Sequence, residues 1–231
     1  MPQGTFPVTD IFQEVEEEVR RERYQQLWKK YGNVAIALAA LLVIAAAGYQ
    51  LWQTWDRSKR EDASIQFHAA EQLAQAGRFG EAETAFAKLA ADAPSGYATL
   101  AKFHQASIMM AAGKRDQALS LYNQLTQLKD PNLSGMARIR IAWVQAEFAP
   151  RDQIEKTLAP LMGADSSWRF SAQEVLAYAD LREGRTGVAM KSYEQLAAES
   201  KAPQGVRDRA RAIAEYLKAN PSSSAAMPSH P

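Results

Sequence analysis

Gly77-Arg-Phe-Gly-Glu-Ala82 is followed 36 residues later by Gly113-Lys-Arg-Asp-Gln-Ala118. The register returns at Ala149 and Gly184, after steps of 36 and 35 residues. Five positions after each start stand Ala82, Ala118, Ile154 and Ala189; nine after stand Phe86, Tyr122, Leu158 and Tyr193. Twelve after stand Leu89, Leu125, Leu161 and Leu196, and seven before stand Ala70, Ala106, Ala142 and Ala177. A small residue ahead of a glycine turn, then a small and two large apolar residues on one helical face, describes a helix–turn–helix unit. Gly supplies the turn conformation that other residues resist. The third unit is degenerate, with Ala149-Pro150 for the glycine turn and Ile154 for Ala. Pro94, Pro131 and Pro203 are expected to end or follow second helices.

Outward from the repeats, Gln204 to Ala219 reads as a capping helix. Val206, Ala210, Ile213, Ala214 and Leu217 line one side, and Arg207, Asp208, Arg209 and Arg211 lie outside. The remainder, 220–231, is a polar tail expected to be disordered. On the other side, Tyr31 to Trp55 contains no charged residue, and Lys30 and Asp56 bound the gap. Its centre, Val34 to Gly48, is apolar on every face, as a spanning helix of ~20 residues requires. Tyr31 and then Tyr49, Trp52 and Trp55 stand where amphipathic rings anchor at headgroup level. Ala45-Ala46-Ala47 could be a signal cleavage site, but about thirty preceding residues rich in Glu do not make a signal n-region. Arg20, Arg21, Arg23, Lys29 and Lys30 against Arg57, Lys59 and Arg60 favour a cytoplasmic N-terminus.

Met1 to Thr9 is expected to be disordered, with Asp10 as N-cap of a following helix that carries Phe12, Val15 and Val19 on one stripe. That helix either positions the anchor or docks a partner. The expected organisation is a cytoplasmic tail and amphipathic helix over 1–30, a transmembrane helix over 31–55, a repeat domain with capping helix over 56–219, and the tail. The fold class is all-α, a transmembrane helix followed by a helical-repeat solenoid.

The totals exclude several functions. Net charge is +1, from 27 basic and 26 acidic residues, which gives no case for nucleic acid. There is no cysteine, hence no disulfide, thiol nucleophile or thiolate metal site. No phosphate-binding, nucleophile-elbow, zinc-protease or dinucleotide motif occurs. His68 and His104 share a register in neighbouring units and read as surface residues, since the third unit has Arg140 there. No catalytic residue, cofactor or metal is expected, and the chain does not read as an enzyme.

Gly77 to Ala82 with Phe86, and Gly113 to Ala118 with Tyr122, resemble the second-helix pattern of tetratricopeptide repeats. The full order of Asp10 to Arg23, Leu27-Trp-Lys-Lys-Tyr-Gly32, the apolar run and the repeats is similar to the YfgM-like family of ancillary SecYEG translocon subunits, of alphaproteobacterial type. The resemblance implies an inner-membrane protein with periplasmic repeats, placed beside the translocon with a PpiD-like chaperone and receiving nascent secreted chains. It also implies that the first helix of each unit lines a concave face. The groove expected on that register holds Phe67, Phe103, Met110, Ile139, Trp143, Glu174, Tyr178 and Leu181. These suit unfolded or helical peptide segments taken up by burial. Alternatively they are core, with the capping helix filling the groove. A scaffold for cell division or outer-membrane biogenesis, without client chaperoning, would use the same features.

Overall fold

A computed structural model describes residues 8–220. The chain divides into two units, Met1–Glu61 and Asp62–Pro231. The first is described as helix alone. Helix α1 (Val8–Gln75) begins two residues ahead of Asp10, which therefore lies inside the helix instead of capping it. The helix is unbroken at the expected limits 30/31 and 55/56. Its stretch from Trp28 is long and apolar enough to cross a membrane. Leu41, Leu42, Val43 and Ile44 are all exposed, which fits a lipid-facing surface and not a soluble core. At its end the Lys59 ammonium stands 3.7 Å from the Trp55 ring centre. Val8 and Thr9, expected to be disordered with the residues before them, are instead the first residues of α1; the rest of that expectation, 1–7, and the tail 221–231 lie outside the described residues.

The second unit is all helical among the described residues. The last turns of α1, from Asp62, pair with α2 (Phe79–Asp92). Three more pairs follow: α3 (Ser95–Ala111) with α4 (Arg115–Leu125), α5 (Pro131–Gln145) with α6 (Arg151–Leu158), and α7 (Arg169–Arg182) with α8 (Thr186–Ala198). A 3-10 turn, Ala159–Leu161, extends α6, and α9 (Gln204–Ala219) closes the array. The prolines expected to end or follow second helices do follow α2, α4 and α8, and they open the helices that come next. Pro94 and Pro203 are the N-caps of α3 and α9, and Pro131 is the first residue of α5. There the missing N–H is no loss and the fixed φ suits a helix start.

Burial follows the register. All sixteen residues of the four registered columns are buried, none more than 6 % exposed. Ala70 and Ala82 allow close approach of their helices, and Phe86 fills the space beside them. Burying such an aromatic ring contributes ~1.5–3 kcal/mol. Gly77, Gly113 and Gly184 have φ of +72°, +75° and +78°. In each of these turns two bonds close the helix: the Gly N–H donates three residues back and the next N–H five back, as in Lys114 to Met109 at 2.8 Å.

The third unit departs from this pattern. Its turn has no positive φ, and successive N–H groups from Ala146 to Ala149 bond back within the last turn. The loop after the 3-10 turn ends at Trp168, whose Nε1 donates to the Asn132 carbonyl at 2.9 Å. The indole lies so close to Gly135 that an added Cβ would stand 2.3 Å from its ring, so a glycine inside α5 is required there.

Candidate peptide-binding groove

Half of the residues expected in the groove are buried inside the array. Phe103 packs with Tyr122, Ile139 with Leu158 and Val175, and Leu181 with Tyr193 and the face of α9. Glu174 is 3 % exposed and is held by Arg209 of α9, whose Nε and Nη2 donate to its two oxygens at 2.7 and 2.8 Å. The capping helix therefore supplies the counter-charge for the only acidic member of its column. The other four, Phe67, Met110, Trp143 and Tyr178, keep part of their surface in solvent. Trp143 and Tyr178 stand at the same register in units three and four, with ring centres 5.5 Å apart. This aromatic pair, on adjacent first helices, stays partly open to solvent on the expected face.

The neighbouring positions are polar and mutually satisfied. The Glu71 carboxylate lies 3.1 Å from His68 Nδ1, and Ser107 Oγ lies 3.0 Å from the Tyr122 hydroxyl. His68 is exposed, but His104 is not the surface residue expected from sequence. Its ring is half-buried against Phe67 at 4.8 Å and Phe86 at 5.2 Å. Burial pushes its pKa down, Glu71 opposes this, and Arg140 adds to it. Among the described residues no three His, Asp or Glu side chains gather where a metal could sit.

Other polar groups were not signalled as a site by the sequence. Arg182 donates to the carbonyls of Ala146, at 2.8 Å, and Ala149. Glu183 accepts the N–H of Arg151 at 2.7 Å, and this bond is the first cause holding its carboxyl below the usual range. Buried Asp180 takes Arg151 at 3.0 Å and Arg185 at 2.7 Å. The Arg182, Glu183 and Arg151–Asp180 contacts join the third unit to the fourth, and Arg185–Asp180 lies within the fourth. The signal available was the lost glycine at 149, which leaves helix ends that something must satisfy. Arg209 could have been found from Glu174, since a carboxylate in an otherwise apolar column needs a partner.

Among the described residues the arrangement offers apolar and aromatic surface, with its polar groups mostly paired with one another. The family model for the tetratricopeptide repeat-like domain matches residues 25–213. The chain is also similar to a protein of Haemophilus influenzae named "Ancillary SecYEG translocon subunit", with 25 % identity over 186 residues. That match covers 78 % of this chain and 88 % of the Haemophilus protein. No solved structure matches the chain significantly. The match of the family model over most of the sequence, with four helix pairs in register, places this chain in the tetratricopeptide repeat-like domain family.

Proposed function

We propose that this chain is a single-pass inner-membrane accessory subunit of the Sec translocon, holding its repeats in the periplasm to receive emerging polypeptides. The observation that carries the reading is the likeness, over 78 % of this chain, to a protein named as such a subunit. The family match begins at residue 25, ahead of the apolar run, so anchor and repeats are matched together. The Lys/Arg excess on the N-terminal side supports a cytoplasmic N-terminus. Client segments would lie on Trp143 and Tyr178, with Phe67 and Met110 extending the same face over the earlier units and Phe103, Ile139, Glu174 and Leu181 forming its floor. A PpiD-like chaperone is the expected neighbour, and the role is holding, without catalysis.

The test is affinity purification of the full chain from its own membranes in mild detergent, with partners identified by mass spectrometry. Translocon subunits are expected as the main enriched partners. Recovery of a division or outer-membrane assembly protein without them would contradict the reading. Orientation is tested separately with Thr5→Cys and Ser223→Cys in this thiol-free chain. The second should label from the periplasm in cells whose inner membrane is intact, and the first should not.

A further inference from the structure

Beyond the first unit, each first helix of the array is covered on one side by the second helix of the preceding unit. Helix α3 faces 14-residue α2 and α5 faces 11-residue α4, but α7 faces α6, which is only 8 residues long before its 3-10 turn. A cleft of about 650 Å³ opens there, between α7, α8 and Met162 beyond the turn. Leu176 and Phe170 give it an apolar wall, and Gln173 and Gln195 offer amide donors and acceptors. Arg151 and Asp180 also line it, but they pair with each other at 3.0 Å. The carboxylate of Glu199 accepts the N–H of Lys201 at 3.0 Å.

Arg169 is different. It lines the cleft with no carboxylate within ion-pairing distance among the described residues, and its guanidinium lies 4.5 Å from the Phe170 ring centre. Its Nε is buried and has no hydrogen-bond partner. A guanidinium that has lost part of its water without gaining a carboxylate partner is costly, and a carboxylate is the strongest group to pair with the part of it that lines the cleft. We propose that this cleft, on the second-helix side of units three and four, takes a short extended peptide segment through an acidic side chain. The carboxylate meets Arg169, an adjacent apolar residue covers Leu176, and the two glutamines meet the peptide backbone. This site is separate from the first-helix face and does not depend on the translocon reading.

The test is fluorescence anisotropy with the full chain in detergent micelles and two labelled hexapeptide amides, Ala-Phe-Glu-Leu-Ala-Ala and its Gln analogue. The Glu peptide should bind about tenfold more tightly, the worth of one charge-assisted hydrogen bond. Arg169→Gln should abolish the preference, Arg169→Lys should keep part of it, and Lys129→Gln, which removes an exposed cation away from the cleft, should leave it unchanged. A third peptide, with alanine for the Glu and a free C-terminal carboxylate, should bind no better than the Gln amide. Equal affinities for the Glu and Gln peptides, no saturable binding, or a preference that survives Arg169→Gln would overturn the proposal. Tight binding of the free-terminus peptide would overturn the side-chain assignment in favour of terminal-carboxylate capture.

Discussion

The turns of the second and third units join their helices by different means. At Gly113 the backbone alone suffices: φ of +75° lets two N–H groups reach back to the carbonyls of Met110 and Met109. At Ala149-Pro150 no residue takes that conformation, so carbonyls at the end of α5 would be left over. The next unit supplies what is missing. Arg182 donates to Ala146 and Ala149, and Glu183 accepts the first N–H of α6. A repeat array can therefore lose its glycine signature without losing the turn, provided the neighbouring unit contributes side chains. The expected consequence is coupling: folding of the third turn should depend on the fourth unit packed against it.

Substitutions should separate the two turns. Removing the borrowed donor has the largest expected effect. Arg182→Met leaves two carbonyls without their charged donor and should lower stability by about 3 kcal/mol in urea unfolding. A loss below a few tenths of a kcal/mol would mean that the third turn stands alone. Next comes the intrinsic turn. Gly113→Ala forces a Cβ into the left-handed region and should cost ~1–2 kcal/mol. Ala149→Gly, where φ is not positive, should give no gain.

The aromatic column extends the same contrast to the core. Tyr122 shares a hydrogen bond with Ser107, whereas the fully buried Tyr193 hydroxyl has no partner. Tyr122→Phe should therefore cost about 1 kcal/mol, while Tyr193→Phe should be neutral or stabilising. Thermal melting of the two variants side by side checks this, and a larger loss at Tyr193 would contradict it. Burial raises the Tyr193 pKa well above the ordinary phenol value, with Glu174 adding to the shift, which fits a hydroxyl kept from water.

The smallest effects are in pH dependence. His104 has a lowered pKa in the folded state, so its contribution is complete above the ordinary value of 6.5 and is lost as pH falls through the depressed value. The Glu183 carboxyl is also lowered, so its contribution is complete above the ordinary 4.5 and is lost only in acid below that. Urea midpoints between pH 4 and 8 should fall through the upper window in the parent and not in His104→Phe. Glu183→Gln should flatten only the acid limb. An unchanged upper limb in His104→Phe would remove His104 as its cause.

Much of this contrast was legible in the residues. The columns at −7, +5, +9 and +12 located the helix pairs, because small and large apolar residues at fixed spacing admit few other packings. Gln204 to Ala219 marked α9 for the same reason. The third unit could be recognised as irregular but not repaired on paper, since Arg182 and Glu183 act across 32 to 36 residues. His104 reads as a surface residue because Arg140 stands at its register in the third unit, and only the rings of Phe67 and Phe86 turn it inward. Division of the groove residues into buried and partly open depends on contacts between units, to which a single-unit register is blind. Gly135 gave no warning either, since its need for glycine comes from Trp168, in the next unit.

The central claim is that the first-helix face of the repeats meets polypeptide beside the translocon. Photo-crosslinking in native membranes tests it most directly, with a photoreactive residue placed at half-buried Trp143 and, in a parallel chain, at exposed Lys191 on α8. The account predicts crosslinks to translocon subunits or nascent secreted chains from position 143 and few from position 191. Crosslinks of equal strength from both positions, or none from 143 while the chain remains folded, would contradict it.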